Sequence, residues 1–355
     1  MTHHHTGPSE SPLAYCHEAV QGVSRTFALT IDALDSPLAD QICVGYLLCR
    51  IPDTVEDANH VPAATQQDLL ATYREVLQPG SSTSIESFTR QAREWIPAQN
   101  HSPDWELVGN APTVMAAFEQ FDRPTREAML PPVREMTTGM ARFVERYADE
   151  PGIRIQTGTE LRSYCHYVAG TVGTLITNLL AEQSLSEARE TALRHNGEHF
   201  GRLLQLVNIA KDVHDDYVAE NNVYLPAEWL AAEGVPQDRV VDDDLRSEAV
   251  AVLSRTLDRA RQHLDPAQSY IEEMPLGGGN TVVAWAVPYL LAVGTLRELR
   301  ANPGAAFAEE AVKVSRKEVR TIVSAVSATD RQRLDLLRET VAASPLEAVP
   351  QRLSH

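Results

Sequence analysis

Lysine is almost missing from this 355-residue chain: Lys211, Lys313 and Lys317 stand against 28 arginines. Acidic residues outnumber both basic types together, 49 to 31, for a net charge of −18 at pH 7. No basic surface of the kind that phosphate-backbone contacts require can be built from this composition, which excludes nucleic acid as a partner. An acidic, lysine-poor, arginine-rich chain fits a GC-rich and salt-adapted (halophilic, archaeal) source. Cysteine is also scarce. Cys16, Cys43, Cys49 and Cys165 show no CxxC spacing and lie among apolar residues. That pattern excludes structural zinc and points to reduced, buried thiols in a cytoplasmic protein. Long apolar runs are lacking too. The most apolar late stretch, Thr281–Leu296, is short for a membrane span and contains Pro288, so it is expected as a kinked, buried helix. Residues 1–12 are polar and carry no signal-peptide pattern, and no anchor is expected at the C-terminus. Alternating runs of β-branched residues are absent, which argues against strands.

Helical periodicity is what remains. With 43% hydrophobic residues the chain can bury a large core, and no linker is long or biased enough to divide it. The expectation is one all-α domain over 13–330, after a disordered tail at 1–12 and before a polar, partly helical tail at 331–355. Helical segments are expected at 12–30, 37–57, 68–77, 124–147, 160–180, 189–216 and 305–327. Pro52 is expected to tilt the acidic turn that follows it. Glycines 277–279 read as a turn, and 217–226 as a loop able to act as a flap.

The stretch Gln205–Asp216, QLVNIAKDVHDD, carries the most information. At helical spacing Gln205, Asn208, Asp212 and Asp216 stack on one face between apolar flanks. Asp53 and Asp57, within Arg50-Ile-Pro-Asp-Thr-Val-Glu-Asp57, repeat the i, i+4 spacing, about 6 Å along a helix axis. Each pair repels itself unless a cation sits between its members. Two such pairs facing one another offer hard oxygen ligands for several Mg²⁺ ions, with open positions for phosphate. The chemistry this suits is ionisation of an allylic diphosphate beside an apolar cavity that shelters a carbocation.

These motifs resemble the squalene/phytoene synthase family, in wording nearer its squalene synthase branch. Ser24-Arg-Thr-Phe27 resembles the entry motif of that family. Tyr46-x-x-x-Arg50-x-x-Asp-Thr-Val-Glu-Asp57 resembles its first aspartate motif, and Tyr164-Cys-His-Tyr-Val-Ala-Gly170-Thr-Val172-Gly its central segment. Gln205-x-x-Asn208-Ile-x-Lys211-Asp212-x-x-x-Asp216 resembles the second aspartate motif, and Lys313-Val-Ser-Arg316 a basic segment associated with NADPH. The resemblance implies an isoprenoid-synthase helical bundle with a central cavity. It implies head-to-head coupling of two farnesyl diphosphates to presqualene diphosphate, then NADPH-dependent rearrangement to squalene. Asp53, Asp57, Asp212 and Asp216 would hold two or three Mg²⁺ ions. Ser24, Arg25, Arg50 and Lys211 would bind diphosphate, Gln205 would contact substrate, and Phe27, Tyr46, Val168 and Val172 would line the cavity. Tyr164 would manage the proton lost as the cyclopropane closes; Asn208, Lys313 and Arg316 would face the nicotinamide cofactor. A monomer that touches a membrane surface transiently to release product is expected.

Departures accompany the match. Asn221 stands where the family has an arginine, and Ala284, beside Trp285, where it has a cavity phenylalanine. Taken singly, Tyr164 reads as a core tyrosine, Arg25 and Arg50 as surface ion-pair partners, and Lys313 and Arg316 as a solvated basic face. Trp285 and Tyr289 read as core. Phytoene synthase, a synthase that stops at presqualene diphosphate or makes dehydrosqualene, and a non-catalytic assembly or lipid-binding member of the fold are the alternatives.

Overall fold

Four prolines lie inside helices, where each removes an amide and orphans the carbonyl four residues before it. In this computed structural model, which describes residues 11–97, 102–182, 185–275, 281–309, 312–327 and 333–347, three of those carbonyls are satisfied from another helix. Pro52 frees Leu48 O, and Tyr73 Oη donates to it at 2.9 Å. Pro132 frees Ala128 O, which accepts from Asn178 Nδ2 at 3.1 Å. Pro288 frees Ala284 O, which accepts from Thr30 Oγ1 at 2.8 Å. Pro52, Pro132 and Pro288 thus each mark a point where two helices are joined by a hydrogen bond. The tilt expected at Pro52 is not a break: the helix runs through the proline to Glu56.

The helices that build the bundle are α1 (Pro12–Val23), α2 (Arg25–Asp32), α3 (Leu38–Glu56), α4 (Ala63–Val76), α5 (Arg123–Arg146), α6 (Gly158–Cys165), α7 (Thr171–Ala181), α8 (Glu187–Lys211), α9 (Val213–Glu220), α10 (Thr281–Ala301), α11 (Arg316–Ser327) and α12 (Leu334–Ala343), with shorter helices between them. Among the described residues no strand forms, and a parallel bridge joins Arg154 and Val223. The fold is all-α. The Gly277–Gly279 turn, residues 1–10 and residues 348–355 lie outside the described residues.

Two local features differ from simple periodicity. The expected first helix is cut at Ser24, whose extended backbone and side-chain bond to Phe27 N (3.3 Å) end α1 and cap α2. Between α6 and α7, residues His166–Gly170 wind as a π-helix, with Thr171 N bonded to His166 O. The carbonyl of Tyr167, left without its usual partner, accepts from Thr171 Oγ1 at 2.6 Å.

That π segment and α7 lie unusually close to α8. A Cβ on Gly173 would stand 2.1 Å from Gly197 O, and a Cβ on Gly201 would stand 2.1 Å from Ala169 O. Only glycine permits this approach, which brings Val168 and Val172 up to the polar column of α8. α10 packs against α2 and α8 on the other side of the space so enclosed. α10 is long and apolar enough to cross a membrane, but most of it is buried in this core.

The C-terminal stretch is not solvated throughout. Leu337 and Val341 of α12 are fully buried, and α12 packs on α10. Arg297 Nη1 bridges Glu318 Oε1 and Val341 O, both at 2.7 Å, while Glu318 Oε1 also accepts from Leu346 N at 2.9 Å. A helix expected over 305–327 is replaced by a short 3₁₀ turn, Pro303–Phe307, residues 312–315 outside any helix, and α11. All four cysteines are free and buried.

Candidate active site

The enclosed space is a cavity of about 560 Å³. Its apolar wall comes from Phe27 (α2), Tyr46 (α3), Val168 and Val172, Phe200 and Leu204 (α8), and Trp285 (α10). Phe27 and Tyr46 stack with ring centroids 4.0 Å apart, and Phe200 meets the Trp285 ring edge-on at 6.1 Å. Ala284 does not line the cavity, and the aromatic side chain on this helix is supplied by its neighbour Trp285. Tyr289 is not in the wall; its hydroxyl bonds to Leu264 O and Gln268 Oε1.

One end of the cavity is polar. Gln205, Asn208 and Lys211 project into it from successive turns of α8, and Ser24 from the α1–α2 break. Lys313 reaches the same lining together with Val312 and Val314, in a stretch that belongs to no helix. Arg316, at the first turn of α11, is exposed and does not line the cavity; Arg25 likewise faces solvent.

The polar column does not continue on one straight helix. Asp212 (φ −106°, ψ 15°) bends the chain between α8 and α9, although the i→i+4 bonds hold on either side: Asp212 N to Asn208 O at 3.0 Å, Asp216 N to Asp212 O at 2.8 Å. The region expected as a flap loop begins later, since α9 extends to Glu220. Asp212, Asp216 and Glu220 therefore form one column at i, i+4, i+8. Glu220 was not singled out from the sequence. The column spacing was the available signal, hidden by the assumption that the helix stops at Asp216.

Electrostatics tie this column to the first motif. Burial raises the carboxyl pKa of Asp53, and of Glu56 and Asp57 well above the usual range; the charge of Asp53 adds to the latter two, and that of Glu220 after it. Glu220 is raised by burial, and the charges of both Asp53 and Asp212 add to it, so it lies within electrostatic reach of both motifs. Asp216 is pushed up to about 8 by burial, then by Glu220 and Asp212. Each motif carries one built-in cation: Arg50 pairs with Asp53, and through Nε with Asp104 at 2.9 Å, while Lys211 pairs with Asp212. Six carboxylates against two cations leave a strong surplus of hard oxygen donors, the set that suits Mg²⁺. Glu56 Oε1 is buried without any hydrogen-bond partner, a further sign of a missing cation. Among the described residues, no three acidic, histidine or cysteine side chains already stand in ligating geometry.

Tyr164 is 3% exposed, and its hydroxyl is turned to the acids, not into the apolar wall. It bonds to Tyr224 Oη at 3.1 Å and to Glu56 Oε2 at 3.4 Å, with the Tyr224 ring stacked at 4.9 Å and Phe143 edge-on at 5.0 Å. Burial and the Glu56 charge keep this phenol protonated far past its ordinary pKa. Tyr224 and Asn222, which continues the chain to Glu220 through Nδ2, escaped notice in the sequence because they follow the last motif. Asn221 caps α9 in the left-handed region (φ 55°), and the Arg154 guanidinium binds both its carbonyl and its Oδ1. His166 is held by Glu198 (2.7 Å) and Glu135 (3.1 Å) outside the cavity.

Residues 20–318 match the family model described as squalene/phytoene synthase. The chain is 27% identical over 298 residues to squalene synthase LSS of Botryococcus braunii, a match covering 83% of this chain and 60% of that one. It is 28% identical over 306 residues to presqualene diphosphate synthase of the same organism, covering 83% and 68%. It thus spans about 60% of the length of the first of these relatives. The solved complex of TcSQS with the ligand BPH1237 superposes with a TM-score of 0.77 at 24% identity, over 97% of this chain and 96% of that one, and so shares its fold. The chain belongs to the squalene/phytoene synthase family.

Proposed function

We propose that this chain couples two farnesyl diphosphates head to head to presqualene diphosphate and then, with NADPH, converts that intermediate to squalene. The observation that supports it best is the cavity itself: aromatic-walled at one end and lined by Gln205, Asn208, Lys211 and Lys313 at the other, where Lys211 pairs with Asp212 and so joins the cavity to the acid column outside its lining. Asp53, Asp57, Asp212 and Asp216 would hold Mg²⁺, which supplies electrophilic assistance to departure of diphosphate. Lys211, Arg50 and Ser24 orient the diphosphate oxygens, and Gln205 lies beside them. Phe27, Tyr46, Phe200 and Trp285 present ring faces to the cationic chain while Val168 and Val172 exclude water. Tyr164 would relay the proton released as the cyclopropane closes, its phenol proton passing along the hydrogen bond to Glu56 Oε2 as the oxygen takes up the new one. Asn208 and Lys313 would meet NADPH, which supplies hydride. A monomeric, cytoplasmic protein that touches a membrane surface at the cavity mouth belongs to the same proposal.

A synthase that ends at presqualene diphosphate is the second reading, favoured by the exposed position of Arg316 away from the cavity. Incubation of the protein with each prenyl diphosphate, with and without NADPH, followed by mass analysis of products, separates the readings. Squalene with NADPH, and presqualene diphosphate without it, are expected. Presqualene diphosphate under both conditions would select the second reading. Phytoene from geranylgeranyl diphosphate with no C30 product from farnesyl diphosphate would sink both.

A further inference from the structure

Lys313 lies in a stretch with no secondary structure of its own to hold it. Residues 312–315 belong to no helix, and no hydrogen bond ties the backbone of Val312, Lys313 or Val314 to any described residue. Yet all three line the cavity. What fixes them must therefore lie beside them.

Two contacts do so. Gly294 of α10 makes room for Val314, since a Cβ there would stand 3.0 Å from Val314 Cγ2. One residue on, Ser315 opens α11: its Oγ accepts from Glu318 N at 3.1 Å and its carbonyl from Val319 N at 2.9 Å. Ser315-x-x-Glu318 has the spacing of a capping box, in which the acid turns back to the first amides of its own helix. Glu318 does not turn back. Its carboxylate, 3% exposed, is held by the Arg297 guanidinium of α10 in a two-pronged pair, Nη1 to Oε1 at 2.7 Å and Nη2 to Oε2 at 2.8 Å. Leu346 N donates to Oε1 at 2.9 Å, and Arg297 Nη1 also reaches Val341 O at 2.7 Å. The start of α11 is thus set by α10 and by the chain around and after the end of α12. Neither Arg297 nor Glu318 lines the cavity, although Thr295, two residues before Arg297, does.

We propose that Arg297 and Glu318 are positioning residues, whose buried pair holds residues 312–314 against the cavity and thereby sets its cofactor-facing side. This rests on the reading of Lys313 as a residue that meets NADPH. It also makes the segment after α12 a part of the reductive half of the reaction, although Leu346 does not line the cavity.

The test is Glu318→Gln in the full-length protein, read in two ways. Hydrogen–deuterium exchange of the substrate-free protein, followed by mass spectrometry, should show the amides of 312–318 exchanging about tenfold faster or more, with 53–57 and 212–216 unchanged. The apparent KM for NADPH should rise about tenfold or more, while presqualene diphosphate formation without NADPH stays within about twofold of the parent. A general loss of structure would lower both half-reactions together. Should Glu318→Gln fail to fold, Arg297→Lys, which keeps the charge and loses the fork, should give the same pattern at about threefold or more. Unchanged exchange over 312–318, an unchanged KM for NADPH, or equal loss in both half-reactions overturns the proposal. Lys313→Ala separates it from the reading beneath it. A raised KM in Lys313→Ala but not in Glu318→Gln overturns the positioning role alone. A raised KM in Glu318→Gln but not in Lys313→Ala overturns the cofactor role of Lys313 alone. If no product depends on NADPH, the reductive reading falls, and exchange by itself decides whether the pair holds the segment.

Discussion

Gly201→Ala puts the geometry of the cavity to a direct test. The added Cβ would stand 2.1 Å from the carbonyl oxygen of Ala169, whereas ordinary contact begins near 3.4 Å. The obstacle is backbone on both sides, so no side chain can swing away. α8 and the π segment must separate by roughly 1.3 Å, the difference between those distances. Overpacking of this kind costs about 1–3 kcal/mol. At about 2 °C per kcal/mol for a chain of this size, the melting temperature should drop by about 2–6 °C. Function should suffer more than stability. Val168 and Val172 stand on one side of this seam, and Gln205, Asn208 and Lys211 on the other. A displacement of about 1 Å between groups that orient a reactant can cost about 100-fold in rate. Thermal unfolding followed by circular dichroism, with single-turnover product formation, measures both. Gly304→Ala, where the nearest atom to a new Cβ is 3.9 Å away, is the control. A melting temperature within 1 °C of the parent and undiminished turnover would show that the close seam does not set the cavity.

Other expectations are as specific. Asp53→Asn and Asp212→Asn should each lower turnover at least 1,000-fold with helicity intact, because both side chains are only partly buried and each pairs with a cation of its own motif, Arg50 or Lys211; retained activity in both would remove the metal assignment. Lys313→Ala should let presqualene diphosphate accumulate in the presence of NADPH, and an equal fall in both half-reactions, seen by product analysis, would detach Lys313 from the cofactor. Tyr73→Phe strands the Leu48 carbonyl left by Pro52 and should cost about 1–3 kcal/mol by urea unfolding; no change would mean that the proline-freed carbonyl needs no partner. Asp216, raised to about 8 from 3.8, keeps in the folded state a proton that the unfolded chain has released. Its contribution is complete below pH 4 and is lost as pH rises through about 8, so in metal-free buffer the melting temperature should decline across that window. Asp216→Asn should flatten the decline, and a melting temperature that rose with pH in the parent protein would contradict the assignment.

Helical class and the two acid columns were readable from the sequence because both depend on local period. Asp53 and Asp57, or Asp212 and Asp216, share a helix face whatever the rest of the chain does, since 3.6 residues per turn sets that alignment. The same local logic was insufficient wherever a distant group completes a local defect. Pro52 and Pro288 read as kinks, yet Tyr73 and Thr30, the latter 254 residues from Ala284, supply the missing donors and keep both helices whole. Glu220 joins the acids only because α9 runs one turn further than expected, capped by the left-handed Asn221 that Arg154 holds from 67 residues away. Lys313 arrives at the cavity on a non-helical stretch instead of a helix, while Arg316, three residues later, is carried out to solvent. Sequence alone determined the periodicity, the charge balance and the residue types available for chemistry. Tertiary structure decided which of them share a cavity, because burial, charge coupling and hydrogen-bond completion act across chain separations that no local pattern encodes.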